Sequence, residues 1–542
     1  MNLLESLNKY ANQFSLIKAQ DNNYTIKYDG LYLHSSKFPV LEAQRFIEPL
    51  KYCDQSATII ILWGVGLGYH TELLVQQGFT IIAVELRREI AEIFKMVFPI
   101  EKLHAFIDVD DPQKIFDAIV SLPAYQSLNF VDLSMRNITF KDQVWTSYTE
   151  KGKHVLRSTH NIHFHLMESW YCNILQNIQL LNSQSISIIP TTVFCGKKVI
   201  ICSAGPSLKE SLPYLEKIHH SYVIIAVDTA LSSLLEYGIV PDFVHAVDAK
   251  IHNVTDFVSI EHSIFNKMIL IADISVHPII VNQPWKAISF VSTGHPVNHP
   301  KKGLYIHRIE LINFLMSYGI KFPELQTGGS VATSAFHYAV SHGAEKIIMI
   351  GQDLAYTNYR GHAVGTTYDR QYRSNANRLK TLETIHVHKL PDFYAQGIDN
   401  QLVLVDPLLE QFRHWFEMSI AFCKEENLHN RVINGSESGA FFDSWSHEKL
   451  SVIGKNDNIH IDKIFDFSLN PIINLTVLFE KLYIEWINFV LDSHQKSLLH
   501  EYFYSEYTQL LKGEVYNEFL YNRKYNRLKK IIAQYHFQGT KI

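Results

Sequence analysis

Lys198-Val199-Ile200-Ile201-Cys202-Ser203-Ala204-Gly205-Pro206-Ser207-Leu208 is the stretch on which the fold turns. Its apolar run is strand-length, as expected for a strand buried on both faces of a parallel sheet. The run stops at small residues, and a helical pattern leaves from Leu208. A turn of this kind aims free backbone N–H groups and the positive end of a helix dipole at one point, which favours an anion, usually a phosphate. A second such strand, Tyr222-Val223-Ile224-Ile225-Ala226-Val227, ends on Asp228. A polar side chain at the tip of the next strand is where an α/β sheet commonly holds a ribose. The two together point to a nucleotide site near the middle of the chain.

The same grammar extends in both directions. Ala57 to Trp63 reads as a buried strand that turns through Gly64-Val65-Gly66-Leu67-Gly68 into a helix from Tyr69, and Thr80 to Val84 follows and ends on Glu85. With further strands expected at His104–Ile107 and Asn129–Val131, residues 1–160 read as a Rossmann-like α/β domain. Apolar residues at helical spacing from Phe164 to Leu181 predict a linking helix over His163–Leu181. Further strands are expected at Phe243–Val247, ending on Asp248, at Met268–Ala272, ending on Asp273, and at Ala287–Val291. Thr327 to Ser334 forms a turn feeding a helix over Ala335–Ser341, and the strand Lys346–Ile350 ends at Gly351-Gln352-Asp353. Strands alternating with helices predict a doubly wound parallel sheet, so 161–407 reads as the catalytic domain. Residues 408–542 read as a helical C-terminal region, with an apolar stripe from Leu475 to Val490. A basic last helix carries Arg523, Lys524, Arg527, Lys529 and Lys530; a solvated face accounts for it.

Composition narrows the classes. A chain of 542 residues calls for several domains, and 47% hydrophobic with 19% charged residues is the balance of a soluble globular protein. A net charge of −5 gives no electrostatic reason to expect nucleic acid. Five cysteines without a CxxC pair suggest neither a zinc site nor a disulfide framework. Met1 to Tyr10 has no apolar signal segment behind it, and no apolar run has membrane-spanning length, so a cytoplasmic protein is expected.

Two glycine turns compete as ligand sites. Gly64 to Gly68 with Glu85 resembles the cofactor loop of S-adenosylmethionine methyltransferases, but no nucleophile or base follows it, and it reads as scaffold. Gly205-Pro206-Ser207 is the stronger, because other features share the carboxyl ends of the predicted strands. These are Asp228, the hydroxyl-bearing helix N-terminus at Thr327–Ser330, and Asp353 and Tyr356 with Tyr359, His362 and Tyr368 behind.

The strings Cys202 to Leu208, Thr327-Gly328-Gly329-Ser330, Ile350-Gly351-Gln352-Asp353-Leu354-Ala355-Tyr356-Thr357, His362-Ala363 with Gly365, and Asn434-Gly435-Ser436-Glu437-Ser438-Gly439-Ala440 resemble the motility-associated factor (Maf) glycosyltransferases. The central domain is also similar to bacterial CMP-sialic-acid transferases and to archaeal pterin diphosphokinases. The resemblance implies transfer of a nonulosonic acid, pseudaminic or legionaminic, from a CMP-sugar to Ser or Thr of flagellin, with inversion. It implies no obligatory metal, though a divalent ion is compatible, and it leaves a homo-oligomer open. The C-terminal region would be the surface that holds flagellin.

By the same resemblance Ser203, Gly205, Pro206 and Ser207 would hold the nucleotide, and Asp228 and Asp248 its ribose or neighbouring atoms. Thr327, Gly328, Gly329 and Ser330 would hold the sugar carboxylate, and Gln352, Asn434 and Glu437 would complete the substrate contacts. The catalytic set would be Asp353, Tyr356 and His362, with Tyr356 at the departing phosphate and His362 as general base; His386 and His388 are alternatives for the base. Asp228 stands where the sialyltransferases favour an amide, and Ser438 interrupts the Glu-Gly-Gly string of the Maf pattern. Two other functions remain open: a pterin diphosphokinase-like enzyme, whose metal cluster Asp228, Asp248 and Asp353 would supply, or a non-catalytic flagellin chaperone.

Overall fold

The computed structural model describes residues 14–53, 55, 58–122, 129–135, 141–182, 186–301, 303–387, 393–425, 431–453, 461–465, 468–469, 475–487, 499–502 and 518–539. Two compact units divide them. Unit 1 takes the described residues within 1–168, 296–305 and 488–526, and unit 2 those within 169–295, 306–487 and 527–542.

In unit 1 an antiparallel meander of β1 (Phe14–Lys18), β2 (Tyr24–Tyr28) and β3 (Leu31–Tyr32) precedes a four-stranded sheet. That sheet has β4 (Thr58–Trp63), β5 (Thr80–Val84), β6 (Ala105–Ile107) and β7 (Asn129–Ser134) in the order β6-β5-β4-β7, all parallel. Every residue of β4 is buried, because alternate side chains enter two cores: Ile59, Ile61 and Trp63 one, Ile60 and Leu62 the other.

The first strand of unit 2 is β8 (Ser187–Ile188), and the unit is built on a ten-stranded sheet. Its strands are β9 (Lys198–Cys202), β10 (Val223–Val227), β11 (Phe243–Ala246), β12 (Ile269–Asp273), β13 (Ala287–His299), β14 (Gly303–His307), β15 (Glu324–Gln326), β16 (Lys346–Ile350), β19 (Val432–Asn434) and β20 (Ser446–His447). A separate hairpin pairs β17 (Phe393–Gln396) with β18 (Leu402–Val405). The order β14-β13-β12-β11-β10-β9-β16-β19-β20, with β15 on β13, reverses direction between β9 and β16. The chain is therefore α/β and doubly wound, with the switch point beside the Gly205 turn.

Three expectations change. The long helix begins at Gln143, not His163, and ends at Asn177. Its first half buries only isolated apolar residues such as Trp145 and Leu156, too few to reveal a helical period. From unit 2 its Asn173 donates to the carbonyls of Ala249 and Ser275, and Asn177 to those of Ile274 and Val276, tying it to the loops after β11 and β12. The boundary at 407 is also displaced, because β19 and β20 lie beyond it and complete the sheet. Three- and two-residue strands carry too little pattern to be read locally. Finally, residues within 488–526 group with unit 1. Phe489 and Val490, expected in the C-terminal stripe, lie outside the described residues. Among the described residues no helix is long and apolar enough to cross a membrane.

Candidate active site

At the switch point the Gly205 turn and the end of β16 are laced together. Ser203 N–H donates to Ile350 O (2.9 Å) and Gly205 N–H to Gly351 O (2.8 Å). The buried Asp353 carboxylate accepts from Ser207 N–H (3.0 Å), from the Ser207 hydroxyl (2.6 Å) and from the Thr357 hydroxyl (2.7 Å). The anion attracted by the N-terminus of the helix Leu208–Ile218 is thus supplied by the chain itself. Burial pushes the Asp353 carboxyl up to about 6, and the bonds from Ser207 and Thr357 hold it from rising further.

Asp353 and Ser207 consequently brace each other, and neither offers a free group for catalysis or nucleotide binding. A side chain at Gly205 would collide with this brace, and one at Gly351 with the Ser203 carbonyl and the Leu208 side chain. Gly439, at φ 123°, lies against the Asp353 backbone, and Ala440 N–H donates to Asp353 O (2.7 Å). The tight backbone role is therefore carried by Gly439, which is why Ser438 is tolerated next to it. Glu437 also leaves the substrate set. Its two oxygens accept from Ser451 N–H and the Ser451 hydroxyl, both at 2.9 Å, at the start of the helix Leu450–Ile453.

What stays open lies along the same edge. Ser203 Oγ, Asp228 Oδ2, Gln352 Oε1, Asn434 Nδ2 and Ser438 Oγ are buried and have no hydrogen-bond partner among the described residues. Each sits at or just past the carboxyl end of β9, β10, β16 or β19. Buried polar atoms are normally paired, so a row of unpaired ones marks where a ligand's polar groups would sit. The Asn434 Oδ1 is already used by Ser436 N–H (3.1 Å), which leaves its amide donor for a ligand.

Asp228 opens the helix Asp228–Glu236, and its Oδ1 accepts from Thr229 N–H (2.8 Å). Burial, then the nearby Asp256 and Asp248 carboxylates, push its carboxyl up to about 7. Asp256, which sequence reasoning missed, is raised by burial as well. Tyr368 feels all three acids, stacks on the ring of His362 (4.6 Å between centroids, 18° between planes), and meets His252 edge-on. His362, half-buried, is thus carried to the acidic end of the site through Tyr368. His388 lies outside the described residues, and of His386 only its place in the helix Leu382–Val387 is described.

The raised Asp228 has a pH signature. The folded protein holds a proton there that the unfolded chain gives up near the ordinary carboxylate value, so this group's contribution to stability is greatest at low pH and is lost as pH climbs through about 7. Asp228→Asn keeps the shape and removes the titration. Its thermal midpoint is expected to fall several degrees less than the wild type's between pH 5 and pH 8. Identical pH slopes in the two proteins would count against this.

The turn at Thr327–Ser330 is shaped by its own hydroxyls. Thr327 Oγ1 accepts from Gly329 N–H (3.1 Å), and Thr333 Oγ1 accepts from Gly328 N–H (2.9 Å). The N–H groups of Ser330, Val331 and Ala332, which start the helix Val331–Ser341, find no acceptor among the described residues. Tyr356 lies in a stretch where Leu354, Asn358 and Tyr359 all hold positive φ (45°, 52° and 58°), a costly conformation for such residues. Its hydroxyl donates to Asp406 Oδ2 (2.7 Å), and burial and Asp406 raise its already high pKa. Among the described residues no three His, Cys, Asp or Glu side chains converge to hold a metal ion.

Unit 1 has a switch point of its own, between β4 and β7, with the Gly64–Gly68 turn and Glu85 at its edge. There His34 Nε2 accepts from Leu67 N–H (2.8 Å), and Gly66 lies so close to the His34 ring that a Cβ would strike it. Burial depresses His34 to about 3, so the ring is neutral and can accept. The Glu85 carboxylate takes Val65 N–H (3.1 Å) and a two-pronged contact from Arg87, both prongs at 2.7 Å. The acid and the loop N–H groups that would grip a cofactor are engaged by the unit's own residues, as the scaffold reading expects.

Residues 172–359 match a family model described as 6-hydroxymethylpterin diphosphokinase MptE-like. A protein of Treponema pallidum (strain Nichols), described as uncharacterized, is 29% identical over 209 residues, which cover 34% of this chain and 51% of that protein. The chain thus spans about half the length of that relative. A Maf glycosyltransferase from Magnetospirillum magneticum AMB-1 is similar in structure over 98% of this chain and 92% of its own, with a TM-score of 0.57 and 14% identity. At that identity the likeness establishes the fold, which the two chains share along nearly their whole lengths.

Proposed function

We propose that this chain is a glycosyltransferase that moves a nonulosonic acid, of pseudaminic or legionaminic type, from its CMP-activated form to Ser or Thr of flagellin, with inversion. The observation that carries the reading is the row of unpartnered buried polar atoms along the carboxyl edge of the unit 2 sheet, in a chain with the fold of a Maf glycosyltransferase. Ser203, Gln352 and Asn434 would meet the nucleotide, and Asp228 its ribose. The free N–H groups at Ser330 to Ala332 would meet the sugar carboxylate. A doubly anionic donor fits beside Asp228, Asp248 and Asp256 only if one of these acids holds a proton, and Asp228 does so near neutrality.

In the reaction His362 would take the proton of the acceptor hydroxyl, whose oxygen attacks the anomeric carbon. The bond from that carbon to the phosphate breaks, and CMP leaves with the electron pair. Charge grows on the phosphate in that step, and the phenol of Tyr368 would stabilise it, because the Tyr356 hydroxyl already gives its one proton to Asp406. The test is purified protein with unmodified flagellin and a panel of CMP-sugars, read by intact mass. A gain of one or more nonulosonate residues is expected with one donor, and no gain with any donor sinks the reading.

A second reading is favoured by the MptE-like match and by Asp228, Asp248 and Asp256 at one end of the site. A diphosphokinase would release AMP from ATP in the presence of a hydroxymethylpterin. Its metal would need the nucleotide's own phosphates to complete the ligand set. AMP release without any mass gain on flagellin would establish this alternative over the first.

A further inference from the structure

The hairpin of β17 and β18 stands apart from the main sheet, and both of its edges are in use. On one side Phe441 N–H donates to Gln396 O (2.8 Å) and Ile398 N–H to Gly439 O (3.0 Å); on the other Tyr356 N–H donates to Leu404 O (2.8 Å). The register sets Tyr394 opposite Leu404 and Gln396 opposite Leu402, so these four side chains share one face. Ala395, Val403 and Val405 share the other, which packs on Ala355 and Ala440. Ala355 belongs to the Asp353–Tyr356 loop, and Ala440 ends the string that starts at Asn434. The inner face of the hairpin is therefore fixed to two of the segments that frame the site.

The outer face is open: Tyr394 is 59% exposed and Leu402 74%. A strand face meant for water carries polar residues at such alternate positions. Here they are Tyr394, Leu402, Leu404 and the uncharged Gln396. The one charged residue of 393–405 is Asp399, in the turn, and it pairs with Lys449 (2.9 Å). Diagonal neighbours on one face of an antiparallel pair stand within about 8 Å, so these side chains make one continuous patch. In the loop that β18 holds through Tyr356, Tyr359 is also exposed, three residues before His362. With its edges in use at these points, the hairpin offers a partner its side chains rather than strand addition.

We propose that the outer face of the β17–β18 hairpin docks the acceptor polypeptide, an uncharged, apolar stretch of flagellin next to the Ser or Thr that is modified. This rests on the transferase reading above, and it puts the acceptor on 393–405 rather than on the C-terminal region expected from the resemblance. The occupant follows from the place of the face and from its chemistry. A transferase must hold the acceptor hydroxyl at its base, and the loop bearing His362 is the one that the hairpin grips at Tyr356. A charged partner segment would lose hydration against this patch and meet no counter-charge, so the patch selects an apolar one. Tyr394 is the type of residue on which interfaces concentrate their binding energy.

The experiment measures binding of unmodified flagellin to the full chain by calorimetry, without donor, for the wild type, Tyr394→Glu, Leu402→Glu and Leu402→Lys. Tyr52→Glu, at an 85% exposed position in unit 1, is the control. Each hairpin variant is expected to weaken Kd about 10-fold or more, and the control to change it by less than about 2-fold. The positions are exposed, so thermal midpoints should stay near the wild type. An unchanged Kd in the hairpin variants, or a wild type that does not bind flagellin, overturns the proposal. Tighter binding by Leu402→Lys would mean an acidic partner, and a dimeric wild type with monomeric hairpin variants would mean a second copy; either result overturns it. In the transfer assay the KM for flagellin should rise by the same factor, with the KM of the CMP-sugar changed by less than about 3-fold. Transfer at an unchanged flagellin KM removes the docking face and leaves the transferase reading. Flagellin held by this face but never modified upholds the docking and removes the transferase reading alone.

Discussion

His362→Ala is expected to lower the rate of sugar transfer about 10²–10⁴-fold, the usual weight of a positioned general base. The ring stacks face to face on Tyr368 and is half-buried in the loop before the helix Thr367–Asn375, outside the sheet core, so its removal should leave the fold in place. Circular dichroism and the thermal midpoint should therefore stay close to the wild type while intact-mass assays lose the product. CMP binding, measured by calorimetry, should survive, because the groups assigned to the nucleotide lie on other strand ends. A variant that transfers at the wild-type rate would remove His362 as the base and direct the same test to His386 and His388.

Gly205→Ala is expected to cost on the order of 3 kcal/mol of stability by overpacking. Gly205 is not among the glycines at positive φ, so alanine meets no backbone penalty there and the whole effect is steric. The added carbon would strike the Asp353 carboxylate and the Gly351 carbonyl. Neither can retreat: Asp353 is held by Ser207 and Thr357, and Gly351 O already accepts from Gly205 N–H. Urea unfolding followed by tryptophan fluorescence measures the loss. If Gly205→Ala unfolds at the wild-type midpoint, the turn is loose, and a ligand phosphate regains its claim on Ser207.

The sequence carries the strands of both sheets well, because parallel strands buried on two faces leave continuous apolar runs such as Val199–Cys202 and Ile347–Ile350. Their strand-end residues, and hence the edge on which the site lies, follow directly. What hides from local reading is whatever depends on strand order. Ser207 and Asp353 are 146 residues apart and meet because β9 and β16 are neighbours in the sheet. The Gly205 turn announces an anion, but not that the anion is a side chain from so far along the chain. Asp406 is recognisable as a helix cap, since an acidic residue before proline is a common helix start. Its tie to Tyr356, across 50 residues, is not. Asp256 sits in the short 3₁₀ segment Ile251–Asp256, where no periodicity marks it, and only folding brings it to Asp228.

The packing of His34 into the Gly64–Gly68 turn bears on how such chains are classified. A glycine-rich turn after a first strand, with an acid at the tip of the second, is the pattern by which motif searches assign a methyltransferase or a dinucleotide binder. Here the glycine makes room for an imidazole and the acid for a guanidinium, so the pattern reports an internal fit. Among relatives, Gly66 and His34 should change together, and a chain that keeps the glycines but loses the histidine would be the one to suspect of holding a diffusible molecule. The residue opposite the loop thus separates a vacated fold from a working one.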